Sequence, residues 1–305
     1  MSRLHVIWFR QDLRVHDHAA LRAACQSAAR DGGQVLALYV LPKSLETDAT
    51  RAPQSAFLQQ ALVDLRGALA QRETVLHLRQ GDVLEILSDL HINHRILSLH
   101  THDTVQADPV ETSVEAWALR AGVQYRQHPQ FESGVAPRSY ESWQTVWERF
   151  MAHPRSEAPD LIPSANVGIG RWPEPDAANV ADAAQGGRKH AIKLLRTFLG
   201  TSAEAGANIQ SGQAAFDALK PHLRLGAVSP REVWQAAVGA HQQALKAGMD
   251  IRAASIASFL QLLPTLSRRA QNQTLRSPSS SRSRPRAPAD SGGQMSLGLD
   301  RRSEK

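Results

Sequence analysis

The sequence has a single cysteine, few aromatic residues and no long apolar run. One cysteine excludes a disulfide framework, and the apolar helical pattern around Cys25 predicts a small buried side chain in a reduced, intracellular protein. No stretch approaches the ~20 apolar residues that a membrane helix needs, and the N-terminal residues lack the pattern of a cleaved signal. The sequence therefore predicts a cytoplasmic protein with no membrane partner.

Most of the chain carries no net positive charge. The 305 residues carry a formal net charge of +6, which taken alone would favour nucleic-acid binding. Residues 264–305 contain nine Lys and Arg against three Asp and Glu, so the remaining 263 residues carry no net charge. The basic tail either attracts nucleic acid without sequence preference or is a solvated coil, and we favour the coil.

Strand and helix patterns alternate over the first 131 residues. The apolar runs HVIWF (5–9) and QVLALYVL (34–41) are typical of buried strands, and amphipathic segments lie between such runs. The first of these segments predicts a helix with Asp17 as its N-cap. Parallel strands joined by crossover helices give the predicted fold class, which is an α/β domain with a doubly wound parallel sheet over residues 1–131.

The rest of the chain shows no strand pattern. Residues 132–185 are rich in Pro, Gly, Asp and Ala and predict an interdomain linker with one helix, SYESWQTVWERFMAHP. Residues 186–263 predict an incomplete all-helical domain, in which Ser229 and Pro230 begin one helix. Residues 264–305 are rich in Ser, Arg and Pro and cannot offset a chain entropy of about 1–2 kcal/mol per residue, so they predict a disordered basic tail.

The most specific segment is WFRQDLRVHDHAAL, which begins at the end of the first strand. Ligands bind at the carboxyl edge of an open parallel sheet, so Arg10 and Asp12, with His102 after a later strand, predict a crevice for a planar or phosphorylated ligand. In the alternative interpretation, Asp12, Arg14 and Asp17 brace the loop through hydrogen bonds. Physical reasoning from these residues alone favours bracing.

Histidines occur in close pairs at positions 16 and 18, 91 and 94, and 100 and 102. Two ligands at such a spacing do not form a metal site without a third and a fourth, and no cysteine partner is available. The sequence therefore predicts no metal site.

Five segments, in this order, resemble the DNA photolyase and cryptochrome family: WFRQDLRVHDHAAL, FLQQALVDLRGALAQRETVLHLRQGD, GVQYRQHPQFESGV, GGRKHAIKLLRTFL and LKPHLRLGAVSPREVW. The resemblance covers about residues 1–263. It implies an α/β domain able to hold an antenna chromophore, a linker, and a helical domain that holds FAD. The activity it implies is light-driven repair of pyrimidine dimers in damaged DNA, with the dimer flipped out of the duplex.

The resemblance places the family's FAD phosphate loop at Phe216, Asp217, Ala218, Leu219 and Lys220. The hydroxyl side chains of the family's loop, which would donate to phosphate oxygens, are absent at these positions. Lys220 offers a point charge in their place or is an ordinary exposed lysine, and Asp217 would repel a phosphate. No catalytic residue is assigned.

The family's later helices, with their flavin contacts and relay tryptophans, have no counterpart after residue 263, and the last tryptophan is Trp234. A lost reading frame or a natural truncation explains this better than an evolved disordered tail. Three hypotheses follow. The chain is a photolyase-type flavoprotein impaired by loss of most of its FAD domain, a non-repairing cryptochrome-like or antenna-binding module, or a non-functional gene fragment.

Overall fold

A computed structural model describes residues 2–41, 52–104, 108–130, 142–170, 185–200 and 210–267. The predicted basic tail lies outside these residues from position 268 onward. Residues 264–267 add one more helical turn, in which Leu266 packs against the helical core and Ser267 is buried. Within the described ranges, no helix is both long enough and apolar enough to cross a bilayer.

Five parallel strands form one sheet in the order β3-β2-β1-β4-β5. The strands are β1 (Arg3–Phe9), β2 (Gln34–Leu41), β3 (Leu76–Gln80), β4 (Arg95–His102) and β5 (Gln124–His128), and the helices among them are α1 (Ala19–Asp31), α2 (Ala52–Ala70), α3 (Val83–Asn93) and α4 (Pro109–Ala121). The strand order reverses between β1 and β4. The predicted α/β fold class is confirmed.

The three central strands, β2, β1 and β4, are buried on both faces, so the sheet is covered on both sides. Leu4, Val6 and Trp8 belong to the core on the α3 and α4 side, while Ile7 and Phe9 belong to the core on the α1 and α2 side. Cys25, predicted to be buried, is half-buried at the edge of the second core. Its burial raises the pKa of the thiol to about 11, so the side chain packs as a neutral thiol.

Helix α1 does not begin as the sequence predicted. Its N-cap is His18, whose Nδ1 accepts a hydrogen bond from the Leu21 amide at 3.0 Å. Asp17 adopts a positive φ of 49° instead, and its carboxylate accepts hydrogen bonds from the Ser156 amide and from the side chains of Ser229 and Arg231. A carboxylate taken by distant partners is not available to cap the adjacent helix.

The second half of the described chain is helical. Its helices are α5 (Trp143–Ala152), α6 (Arg188–Leu199), α7 (Gly212–Arg224), α8 (Pro230–Lys246) and α9 (Asp250–Leu262). They enclose a core that includes Trp147, Phe198 and Phe259. The predicted start of α8 is confirmed: Ser229 Oγ accepts from the amides of the first turn, and Pro230 stands at the first position.

The segment predicted as a linker packs partly against the helical core and partly against the sheet. Trp147 and Phe150 on α5 pack into the helical core, whereas Ile162 and Ala165 pack against opposite faces of the sheet. Ser164 also forms an isolated parallel bridge with Val35 beside β2. Residues 142–170 therefore tie the sheet to the helices, and the predicted boundaries at 131 and 185 stay a prediction.

Candidate functional site

The carboxyl edge of the sheet brings the predicted crevice residues together. Arg10 and Asp12 follow β1, His102 ends β4, and these are the two strands at which the strand order reverses. The Arg10 amide donates to Asp12 Oδ1 at 2.7 Å, and the Arg10 guanidinium donates to the His102 carbonyl at 2.8 Å. The reversal point is the usual ligand site of open α/β sheets.

Asp12 lies at the centre of a buried polar cluster. Its Oδ2 is 2.8 Å from His102 Nδ1 and 3.1 Å from His18 Nε2. Burial alone would raise the pKa of the Asp12 carboxyl, but interactions with His18 and His102 outweigh it and hold this pKa well below the usual value. Asp12 is therefore a buried carboxylate that accepts hydrogen bonds from the His102 ring and the Arg10 amide and lies beside the His18 ring.

The ligand atoms of Asp12, His18 and His102 lie within 4.8 Å of one another, as in a metal site. Sequence analysis missed this group because His18 and His102 come from different histidine pairs. Since His18 Nδ1 accepts from the Leu21 amide, its Nε2 carries the proton, and this nitrogen lies 3.1 Å from Asp12 Oδ2 without a hydrogen-bond partner among the described residues. The His102 Nδ1 donates to the same oxygen at 2.8 Å, so one hydrogen bond and one close nitrogen–oxygen contact join the two rings to the carboxylate.

The loop after β1 is braced against the helical half, as the alternative interpretation predicted. The Arg14 guanidinium donates to the carbonyls of His16 and Asp17 at 3.1 Å each and of Gly226 at 3.0 Å. The Leu13 amide donates to the Leu225 carbonyl at 3.1 Å. Arg14 is buried, and its bond to the Gly226 carbonyl, with that of Leu13 to the Leu225 carbonyl, joins the loop to the α7–α8 turn.

Gly226 makes this close approach possible. Its φ of +66° favours glycine, and a Cβ built on it would lie 2.2 Å from the Gln11 carbonyl oxygen and 2.5 Å from Asp12 Cα. The α7–α8 turn can thus lie directly against the backbone that holds Asp12. The loop between β1 and α1, residues 10–18 (the crevice loop), therefore comes closest to the helical half at this glycine.

A cavity of about 470 Å³ opens at the same edge of the sheet. It is lined by the ends of β1 and β2, the loop before α3 and the first turn of α4, including Trp8, Tyr39, Val110 and Ser113. Arg10 also lines it, whereas Asp12 and His102 do not and instead support Arg10 from behind. Of the three residues that the sequence predicted for this crevice, one faces the space.

The Arg10 guanidinium lies over the Trp8 ring. Its guanidinium carbon lies 4.6 Å from the Trp8 ring centroid, and its Nη1 is 2.5 Å from Glu111 Oε1 and 3.7 Å from Asp108 Oδ2. The buried Arg10 Nε has no hydrogen-bond partner among the described residues. Burial, with a smaller contribution from Asp12, raises the pKa of Tyr39 to about 12, so its phenol stays neutral.

The residues aligned with the FAD phosphate loop do not form a loop. Phe216, Asp217, Ala218, Leu219 and Lys220 all lie in the interior of α7, where backbone amides are used by the helix itself. Phe216 and Leu219 are buried in the helical core, Asp217 is exposed, and Lys220 lies over the Phe216 ring at 6.0 Å. Because Phe216 and Leu219 pack in the core and the segment is helical, its backbone amides are not free to bind a flavin phosphate.

Comparison with known proteins agrees with this fold. The profile of the family described as DNA photolyase matches residues 5–153. Over 79 residues the chain is 39% identical to the deoxyribodipyrimidine photo-lyase of Escherichia coli K12, covering 26% of this chain and 16% of that protein. The fold resembles a Synechocystis cryptochrome with a TM-score of 0.68 at 18% identity, covering 90% of this chain and 61% of that one.

A photolyase from the archaeon Sulfolobus tokodaii has the same fold with a TM-score of 0.57 at 14% identity, covering 84% of this chain and 59% of that one. The chain spans less than two thirds of the length of each of these relatives. The profile match runs from β1 to the end of α5 and so includes the sheet, the buried Asp12 cluster and the cavity. The chain belongs to the DNA photolyase and cryptochrome family.

Proposed function

We propose that this chain is an antenna-binding, cryptochrome-like module that holds a planar, light-absorbing chromophore at the carboxyl edge of its sheet. The observation that carries the proposal is the cavity of about 470 Å³ where the strand order reverses. Its volume lies within the range of sites for cofactor-sized molecules. The position is the one at which open α/β sheets bind their ligands.

The walls of the cavity suit an aromatic ring system. Trp8, Val40, Val83 and Val110 line it with apolar side chains, and the Arg10 guanidinium, 4.6 Å from the Trp8 ring centroid, adds a cationic group. The Sulfolobus tokodaii photolyase is described with two FAD molecules and as implying a novel light-harvesting cofactor. A second flavin in a protein of this fold supports a chromophore site here in addition to any FAD site.

Titration of the purified chain with riboflavin tests the proposal. We expect saturable one-to-one binding, seen as quenching of riboflavin fluorescence, because the cavity matches an isoalloxazine ring in size and wall chemistry. Val110→Trp, which places a large side chain at the mouth, should weaken binding at least about tenfold. Leu119→Trp is the control, because Leu119 lies on the same helix, is 83% exposed and does not line the cavity.

The proposal fails if riboflavin does not bind, or if Val110→Trp and Leu119→Trp bind it equally well. The visible spectrum of the protein as purified is a second readout. A bound chromophore that the Val110→Trp variant loses and the Leu119→Trp variant keeps would support the site.

Light-driven repair of pyrimidine dimers in damaged DNA, using FAD, is the second candidate function. The name of the Escherichia coli relative supports it, and the helical structure of residues 216–220 weighs against it. We therefore expect no dimer loss when the chain, supplied with FAD and a reductant, is illuminated with UV-treated oligothymidine. Light-dependent repair above a protein-free control, with FAD bound one-to-one, would establish the second candidate instead of the first.

A further inference from the structure

A row of five hydrogen-bonded side chains crosses β1, β4 and β5 away from the cavity. His5 Nε2 is 3.0 Å from the Asp31 carboxylate at the end of α1, and His5 Nδ1 is 2.7 Å from Ser98 Oγ on β4. Ser98 Oγ is 2.8 Å from His100 Nε2, and His100 Nδ1 is 3.2 Å from His128 Nε2 on β5. These five residues are called the polar row below.

The polar row joins two partly exposed ends through a buried middle. Asp31 and His128 are partly exposed, whereas the three members between them are buried. Gly33 leaves room for the first contact, because a Cβ there would lie 2.8 Å from Asp31 Oδ1 and 2.9 Å from the His5 ring. Both ring nitrogens of His5 and of His100 have their partners inside the row, as buried polar atoms require.

Asp31 fixes the direction of every hydrogen bond in the row. Burial would raise the pKa of its carboxyl, but its interactions, led by the hydrogen bond from His5, hold this pKa below the usual value, so Asp31 is an acceptor at neutral pH. His5 Nε2 therefore carries the proton, and Nδ1 of the neutral ring accepts from the Ser98 hydroxyl. Ser98 Oγ then accepts from His100 Nε2, and His100 Nδ1 accepts from His128 Nε2. All four donors point toward Asp31.

Among the three rings, His5 is the one that lies beside a carboxylate. Burial, followed by the charge of a neighbouring histidine, lowers the pKa of His100 to about 3 and that of His128 to about 4, so both stay neutral in mild acid. The neighbours that act on the row from β1, α1 and β5 are basic: Arg3, His18, Arg30 and Arg126. A positive charge in the row is therefore most stable on His5.

We propose that the polar row is a two-state proton relay that couples the charge of buried His5 to the partly exposed ring of His128. A proton that binds His128 Nδ1 releases the Nε2 proton to His100 Nδ1. His100 Nε2 then gives its proton to Ser98 Oγ, and the Ser98 hydroxyl proton moves to His5 Nδ1. One proton enters, and His5 becomes an imidazolium paired with Asp31. The three hydrogen bonds between His5 and His128 reverse, while His100 and His128 stay neutral.

The relay goes beyond the chromophore site and does not depend on it. Its consequence at the sheet edge is a change of hydrogen-bonding character. In one state His128 Nδ1 is an acceptor, and in the other it is a donor. The charge of a ring buried under α1 would thus be read at the edge of the sheet without any movement of the backbone.

Nitrogen NMR spectra of the histidine rings in the full-length chain test the relay, because they distinguish the two neutral tautomers from the charged ring. The spectra are recorded from about pH 8 to about pH 5.5, which brackets the ordinary histidine pKa. At the upper end we expect the proton on Nε2 of His5, His100 and His128. As His5 becomes charged, the other two rings should change to the Nδ1-protonated form with the same midpoint. Different midpoints, a charged His100 or unchanged tautomers throughout would overturn the relay.

Asp31→Asn tests the end that stabilises the charge. The new amide oxygen still accepts from His5 but does not compensate a positive ring, so the shared midpoint should fall by about 1–3 pH units. Asp89→Asn removes an exposed charge from α3 and should leave the midpoint where it is. Equal midpoints in the two variants would contradict the role of Asp31.

Ser98→Ala tests the link between the rings. Without the hydroxyl, His100 and His128 should no longer change tautomer when His5 becomes charged. Thr101→Val is the control, because it removes a β4 hydroxyl that donates to the Trp8 carbonyl instead. The relay is refuted if the rings still change together in Ser98→Ala, and Asp31→Asn decides the matter by itself if Ser98→Ala does not fold.

Discussion

Replacing Gly226 by alanine is expected to destabilise the protein by at least about 4 kcal/mol. The new Cβ would lie 2.2 Å from the Gln11 carbonyl oxygen, and 2.5 Å and 2.7 Å from the Cα and amide nitrogen of Asp12. All three are backbone atoms, so no flexible side chain can move aside, and the positive φ adds its own strain. We expect the variant to lose the contact between the crevice loop and the α7–α8 turn, measured by urea unfolding followed by circular dichroism.

Gly248→Ala is the control that separates the cost of a positive φ from the cost of a steric clash. Gly248 has nearly the same φ, +67°, but a Cβ there meets nothing within 4 Å. Its alanine variant should lose only about 1 kcal/mol, the cost of the backbone conformation. Equal losses in the two variants would show that Gly226 is needed for its φ alone and that the close approach to Asp12 contributes nothing.

Mild acid is expected to unfold the protein, because several histidines are buried in their neutral form. Burial, followed by the charge of a neighbouring histidine, lowers the pKa of His100 and His102 to about 3 and the pKa of His128 and His222 to about 4. A histidine in the unfolded chain has a pKa near 6.5. Below that pH the unfolded chain therefore binds protons that the folded chain does not bind. Stability is therefore complete above about pH 6.5 and is lost as the pH falls toward 4.

The expected loss between pH 7 and pH 5 is at least about 3 kcal/mol, because each such histidine contributes up to about 1.4 kcal/mol per pH unit. Urea unfolding at half-unit pH steps measures it. His128→Gln should reduce the slope by about one proton, since His128 lies at the sheet edge and glutamine can still bond to His100. A free energy of unfolding that is constant or rises on acidification would contradict the neutral state of these rings.

The alternation of strands and helices was predictable because it depends on local patterns. The run QVLALYVL predicts β2 with its observed bounds, Gln34–Leu41. Gly122 ends α4 in the left-handed conformation, as glycine commonly does after a helix. Ser229 and Pro230 likewise mark the start of α8. In each case the residues that decide the element lie within one turn or one strand of it.

Features that depend on distant partners were not predictable. Asp17 was expected to cap α1. Its carboxylate instead accepts hydrogen bonds from Ser156, Ser229 and Arg231, which lie more than a hundred residues away in the sequence. Residues 216–220 were aligned with a loop, but burial of Phe216 and Leu219 makes them helical. The apolar wall of the cavity was also missed, although Trp8 and Tyr39 stand near strand ends where a ligand was expected.

The bracing of the crevice loop has a consequence for how this chain can be recombined with its relatives. Leu13 and Arg14 bond to the carbonyls of Leu225 and Gly226, more than two hundred positions later. A chimera that joins this sheet to another protein's helices must therefore inherit a matching turn, with glycine at its tightest point. A crossover that separates these two segments is expected to lose these hydrogen bonds, so the pair has to be exchanged as one unit.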